Sequence, residues 1–454
     1  MTNTIAPSEN PLGTAPVGSL LRKFAIPSII SMTVSSLYNI VDQIFIGQGV
    51  GMLGNAATNV GFPMTTIATA IALLIGIGGA ANFNLALGRK QTERARCIAG
   101  TAFGSLIFFG ILLCVIFQFF LKQIVLACGA TEQTLPFALA YVGITSLGLP
   151  FYMVVTGGNH LIRADGKPTY SMASMLSGTI INTILDPLFI FVFHWGIQGA
   201  ALATVLGQIF SAIMVFVYIP RYLNHSLKLP DLLPRPGYLK AVISLGSAAC
   251  LNQLAITVVQ IVLNNILRYY GALSPYGSDI PLAAVGIIMK VNMLFLSVVI
   301  GLSQGAQPII GFNYGAGKYA RVKEAYLKAA GAATLVAVVG VICFQIFPRQ
   351  IISFFGSGDE LYYAFSVKFF RIFLFATFFN GIQPVTSNFF TSIGKASRGI
   401  FLAMTRQIIF LLPLVLIFPL FMGIDGVMFA GPISDSAAGV IAIILVSGEF
   451  KKMK

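Results

Sequence analysis

Long apolar stretches recur along the chain, each ended by a charged loop or a glycine/proline cluster. They occupy about 20–46, 54–88, 95–121, 133–162, 168–194 and 197–221, then about 238–270, 281–313, 320–347, 360–392, 397–422 and 425–448. A spanning helix needs about 20 apolar residues. The strands of a membrane β-barrel are about 10 residues long and alternate in polarity. The stretches here are longer and apolar on every side. The pattern therefore predicts an all-α membrane protein with twelve transmembrane helices.

One interruption differs from the rest. His225 to Gly237 holds Pro230, Pro234, Pro236 and Gly237 among Lys228, Asp231 and Arg235. Such a segment reads as a linker between two six-helix lobes. Internal repetition supports the division. Gly166-Lys167 after the fourth stretch echoes Gly394-Lys395 after the tenth, at an offset of 228. Gly196-Ile197-Gln198-Gly199 echoes Gly423-Ile424-Asp425-Gly426 at an offset of 227. Two parallel copies related by an axis along the membrane normal are expected. The expected division is a tail over 1–19, an N-lobe over 20–224, a linker over 225–237, a C-lobe over 238–448 and a tail over 449–454.

Composition narrows the class. Only 9% of the 454 residues are charged and the mean hydropathy is +0.87, against about 25% charged in a soluble domain. Soluble enzymes, nucleic-acid-binding modules and disordered chains are excluded. The net charge of +14 reflects basic loops rather than a nucleic-acid partner. Of the Lys and Arg residues, 21 fall on the N-terminal side and in the even-numbered loops, against 3 in the odd-numbered loops. Basic loops stay inside, so both termini are expected in the cytoplasm, with the chain multi-pass in the cell membrane. The polar start, Met1 to Gly18, shows no signal-peptide pattern. Cys97, Cys114, Cys128, Cys250 and Cys343 lie far apart, without metal-ligand spacing, and read as packing residues.

A charge near the bilayer centre costs about 2.5–3.5 kcal/mol on insertion scales, so acids within spans carry information. Asp42 stands five residues before Gly47, roughly 8 Å deep at 1.5 Å per residue. Asp186 stands eight residues before His194, roughly 12 Å deep, and Thr204 lies near 10 Å on the returning sixth span. Asn182 and Tyr38 each precede an aspartate by four residues and share its helical face. These residues offer carboxylate, amide and hydroxyl oxygens at one depth of the first lobe. Two neighbouring carboxylates in a poorly solvated pocket cannot both ionise cheaply and titrate as a pair. That is what a proton-coupling site needs. The same oxygens suit Na⁺, since hard cations prefer oxygen ligands. The alternative reading is a helix cap, a helix–helix hydrogen bond or an ion pair, and Pro187 supplies Asp186 with a freed backbone carbonyl nearby.

In the second lobe Asp435 lies ten residues into the last span, with Gln208 as its repeat counterpart. An ion pair with Lys290 or Arg406 competes with a role toward substrate. Asn39, Asn159 and Gln253 are further cavity candidates, each also explained by helix packing. His160 and Arg163 read as interfacial, and Lys368 and Arg371 as side chains snorkelling outward. Gly311 to Lys318 looks like a phosphate loop, but Phe312 and Tyr319 stand where glycine and Ser/Thr are required. No enzymatic motif or ATP-driven pump is indicated, so the driving force is expected to be an ion gradient or the substrate's own.

Several segments carry a family resemblance. Ile26-Pro27-Ser28 with Leu37-Tyr38-Asn39-Ile40-Val41-Asp42-Gln43 resembles the first helix of multidrug and toxic compound extrusion (MATE) transporters. Arg163-Ala164-Asp165-Gly166-Lys167-Pro168, Asn182-Thr183-Ile184-Leu185-Asp186-Pro187 and Gln307-Pro308 through Gly317 resemble the same family, closest to its DinF branch and MepA-like members. The resemblance implies a V-shaped fold of two six-helix bundles, and export of organic, often cationic, drug-like compounds in exchange for H⁺ or Na⁺. It implies coupling at Asp42, Asn182 and Asp186, with Thr204 at the matching sixth-helix position, and bending of the first helix at Pro27. Residues 238–270 lack the acid that another branch carries there. No cofactor beyond the coupling ion and no partner beyond lipid and substrate is expected, and the chain is expected to act as a monomer. A flippase for lipid-linked precursors is the alternative within the superfamily, and would need a more cationic cavity.

Overall fold

In the computed structural model, described over residues 10–223, 227–355 and 359–453, the chain is all helical, with no strand among those residues. Ten helices are long and apolar enough to cross a membrane, and two bent pairs bring the number to twelve. We number the spans α1 (Val17–Gly49), α2 (Met52–Gly88), α3 (Thr92–Phe119), α4 (Leu135–Leu147 with Leu149–Ala164), α5 (Pro168–Pro187, continued by a π turn Leu188–Val192) and α6 (Gly196–Tyr218). The second half comprises α7 (Pro236–Ala272), α8 (Asp279–Gly315), α9 (Tyr319–Ile346), α10 (Glu360–Phe373 with Gln383–Ser392), α11 (Ala396–Met422, wound as a π turn over Thr405–Leu411) and α12 (Ile424–Lys452). The chain is a multi-pass membrane protein. Helices dominate because lipid offers no partners for backbone N–H and C=O groups.

The two halves repeat their irregularities. The fourth span bends by 53° at Gly148 and the tenth by 56° across residues 374–376. The fifth and eleventh each carry a π turn. The halves meet through α1 against α8 and α2 against α7, which are one contact seen from each side of the pseudo-symmetry axis. At its tightest point a Cβ on Gly246 would stand 1.7 Å from the Leu74 carbonyl oxygen, and one on Gly78 2.0 Å from that of Val242. Only glycine permits that approach. Asn82 Nδ2 donates to Ala241 O at 2.9 Å, and Thr33 and Ser297 hydroxyls meet at 3.2 Å.

The Gly246, Gly78 and Asn82 contacts lie toward the end that carries the basic loops, and the Thr33–Ser297 contact lies at mid-helix. Beyond Thr33 and Ser297, toward the far end, no inter-lobe hydrogen bond joins described residues, and Leu37, Ile44, Leu254 and Ile261 are exposed. The cleft therefore opens at the far end.

The lobes are not clean segments of sequence. The start of α1 (Leu20, Leu21, Phe24, Ala25) packs in the core formed by α8, α9 and α12. Val242 of α7 packs reciprocally in the first-half core with Phe103 and Leu161. The far half of α1 lies against α5. One continuous helix thus joins both lobes, and Pro27 lies within it. In the segment expected as an N-terminal tail, Leu12 O and Ala15 O accept hydrogen bonds from Arg321, and residues 1–9 lie outside the described residues. In the linker, Asp231 is buried between Arg96 and Arg235, and the described part begins at Leu227. Helix α12 runs on to Lys452, through the expected C-terminal tail, and Glu449 is buried there between Lys395 and Arg398.

Candidate cation site

The first-lobe site begins with small residues. Gly178 of α5 and Gly207 of α6 face each other's carbonyl oxygens, at 2.4 and 2.7 Å from a hypothetical Cβ. Ser211 Oγ donates to Ser174 O at 2.6 Å, and Ser174 Oγ returns a bond to Ser211 O at 3.1 Å. This backbone-close seam fixes the register of the two helices. One and two turns further along α5 stand Asn182 and Asp186, and less than one turn from Gly207 stands Thr204. Asn182 Nδ2 reaches both Asp186 Oδ1 and Thr204 Oγ1, each at 3.4 Å.

Asp42 comes in from α1. Its carboxyl lies beside that of Asp186, and Tyr38, one turn earlier, lies near Thr204. Tyr141 of α4 lies close to both carboxylates, a member of the cluster that sequence reasoning missed. Asp186 and Asn182 are buried and Asp42 is half-buried. Asp42 Oδ1, Asp186 Oδ2 and Asn182 Oδ1 are buried oxygens with no hydrogen-bond partner among the described residues. Ile46, Ile190, Ile197 and Ala200 form an apolar cluster around Phe45 and Tyr141 beside the site, toward the far end.

Three unpaired oxygens, two of them on facing carboxylates, are costly unless a proton or cation joins them. A shared proton satisfies the pair. A Na⁺ ion matches the all-oxygen donor set. No cluster of three or more His, Cys, Asp or Glu side chains suited to a metal occurs among the described residues.

The other sequence candidates lie elsewhere. Asn39 is exposed and bonds back to Ser35 O. Asn159 is buried, bonds to Val155 O and leaves Oδ1 unpaired. Gln253 is half-buried on α7. Asp435 is ion-paired to Arg406 at 2.5 Å and accepts from Asn380 Nδ2 at 3.1 Å. Lys290 is not its partner and is exposed. Both partners of Asp435 come from irregular backbone, Asn380 from the 3₁₀ turn in α10 and Arg406 from the π turn in α11. Its repeat counterpart Gln208 packs against the bend at Gly148, with a buried, unpaired Oε1.

His160 and Arg163, in the last turns of α4, are buried inside the protein. Arg163 is 3% exposed, with Nη2 bonded to His160 Nδ1 at 2.9 Å and to Gln304 of α8 at 3.0 Å. The network crosses between lobes, which no local pattern signals.

The profile of the MatE family matches residues 27–188 and 248–417, one block in each half. The chain belongs to the MatE family. Its relatives include the multidrug export protein MepA of Staphylococcus haemolyticus (strain JCSC1435), 24% identical over 428 residues that cover 94% of this chain and 92% of that protein. MepA of Staphylococcus aureus (strain MSSA476) is 24% identical over 435 residues, 95% and 94% of the two chains. The fold superposes on the outward-facing conformation of a multidrug resistance MATE family transporter of the MOP superfamily, with a TM-score of 0.91, 21% identity and 99% of each chain covered. The MatE blocks thus fall on α1–α5 and on the greater part of α7–α11, so the family signal lies in the repeated helices.

Proposed function

We propose that this MatE protein is a secondary active antiporter of the plasma membrane. It exports organic, often cationic, drug-like compounds in exchange for H⁺ or Na⁺, with both termini in the cytoplasm. Its resemblance to proteins named for multidrug export supports the substrate class. The observation that carries the coupling is the facing of Asp42 and Asp186 with their unpaired oxygens.

The mechanism follows from where α1 is anchored. Its basic-end half is held in the second-lobe core, and its far half carries Asp42 to the first-lobe site. Without a cation, charge repulsion between the carboxylates pushes α1 and α5 apart. A proton or Na⁺ draws them together. Because α1 is shared, that movement acts on the angle between lobes, with Pro27, which lacks an N–H, the weakest point of the helix. Transport requires that cation and substrate favour different states. Arg406 is neutralised by Asp435, which leaves Lys290 alone to recommend a flippase of anionic lipid precursors.

The test is dye efflux from proteoliposomes under an imposed pH or Na⁺ gradient. Asp42→Asn and Asp186→Asn should each abolish gradient-driven efflux while reconstituting at wild-type levels. Undiminished efflux in both variants rejects the assignment.

A further inference from the structure

At the far end of the second lobe a groove of about 630 Å³ runs between the end of α9, the short helix Pro348–Phe355 and the first half of α10. One face of α10 lines it, with Glu360, Tyr363, Val367, Lys368 and Arg371 at helical spacing. Arg349 enters from the short helix, pairs with Glu360 at 2.9 and 3.2 Å and lies 4.9 Å over the Tyr363 ring. Lys368 is paired with Asp425 at 2.7 Å. Arg371 differs. Its side chain is exposed, and its guanidinium has no hydrogen bond or ion pair to any described residue. Only its carbonyl is engaged, accepting from Gln345 Nε2 at 2.8 Å.

Its level in the membrane follows from its neighbours. Arg371 O is bonded to Gln345 in the last turn of α9, and Lys368, one turn earlier, pairs with Asp425 in the first turn of α12. Arg371 therefore stands level with the far ends of two spans, where phospholipid headgroups lie and basic side chains meet anionic lipid. The groove opens toward lipid rather than toward the cleft. Leu335, Val339, Ile342 and Ile346 form an exposed apolar stripe along α9, and Ile346 is itself a groove wall, facing Val367 and Ile372. A free cation at the level of the span ends and an apolar stripe running from it along α9 call for an amphiphile with a negative head.

We propose that this groove binds an anionic phospholipid of the far leaflet, its phosphate held by Arg371 beside Lys368 and an acyl chain laid along the α9 stripe. Bidentate donation by arginine suits a phosphate, and a lipid reaches the site without leaving the membrane, which a soluble anion does not. The groove lies on the opposite lobe from Asp42 and Asp186, so its test does not rest on the coupling reading.

The test is native mass spectrometry of the full chain in non-ionic detergent, titrated with chain-matched phosphatidylglycerol and phosphatidylcholine, and separately with inorganic phosphate. The wild type should retain phosphatidylglycerol preferentially. Arg371→Gln should lose about fivefold or more of that preference, Arg371→Lys should keep most of it, and Arg268→Gln, at an exposed cation of α7 that does not line the groove, should leave it unchanged. The proposal is overturned if the wild type shows no preference, if Arg371→Gln behaves as wild type, or if inorganic phosphate displaces the lipid. Size-exclusion profiles identify any variant that fails to fold, in which case the Arg371→Lys and wild-type arms decide.

Discussion

Replacing Gly246 by alanine puts a methyl group where the Leu74 carbonyl of α2 already lies. The new Cβ would stand 1.7 Å from that oxygen, whereas real Cβ atoms stay beyond 3.0 Å. Helices α2 and α7 would have to separate by about 1.3 Å locally, and the neighbouring contact at Gly78 would go with them. Overpacking of this kind costs about 1–3 kcal/mol. The contact exists only while the basic end is closed, so the cost falls on one conformer. A bias of that size shifts the equilibrium between conformers by roughly 5- to 150-fold. Spin labels on the basic-end loops, one per lobe, read the shift as a longer inter-lobe distance by pulsed electron resonance. Gly286→Ala is the control, because nothing lies within 4 Å of that site. A wild-type distance distribution in Gly246→Ala would refute the reasoning that glycine contacts hold this end shut.

Other outcomes follow from buried charges. Arg406→Gln leaves Asp435 buried without its cation, which should destabilise the protein by about 3–5 kcal/mol. A paired replacement of both residues by leucine should restore most of the loss in thermal denaturation. Asp165, in the loop between α4 and α5, is pushed up to about 6 from 3.8, chiefly by burial, against the hydrogen bonds from Tyr218 Oη and Leu223 N that favour the charged form. A carboxyl whose folded value is raised favours folding as it protonates. Stability should therefore rise as pH falls through about 6 toward 3.8, by at most about 3 kcal/mol. Asp165→Asn should flatten that part of the melting-temperature profile.

The spans were legible because lipid demands long apolar helices, and the repeat was legible because both halves keep the same glycines. Asp42, Asn182 and Asp186 stood out because an acid inside an apolar stretch is costly unless it has a task. Contacts between distant segments were not legible. Arg163 sits where a helix end meets basic loops, so local pattern suggested the interface, and only the packing of α4 on α8 brings Gln304 to it. Glu449 sits beside Lys451 and Lys452 and read as tail, yet it is clamped by Lys395 and Arg398. Its repeat counterpart at an offset of 227, Tyr222, is an equally buried residue bonded to Leu161 O at 3.0 Å, which only the structure shows. The pairing of Asp435 was narrowed to two cations by sequence. The choice of Arg406 needed the π turn of α11, which no propensity announces.

Cation release on substrate binding tests the coupling claim most directly. A transported drug added to purified protein in weakly buffered solution, with and without Na⁺, should displace a proton or a Na⁺ ion from the wild type. Asp42→Asn and Asp186→Asn should bind the drug and displace none. Equal displacement by all three proteins would place the coupling ion somewhere other than between these two carboxylates.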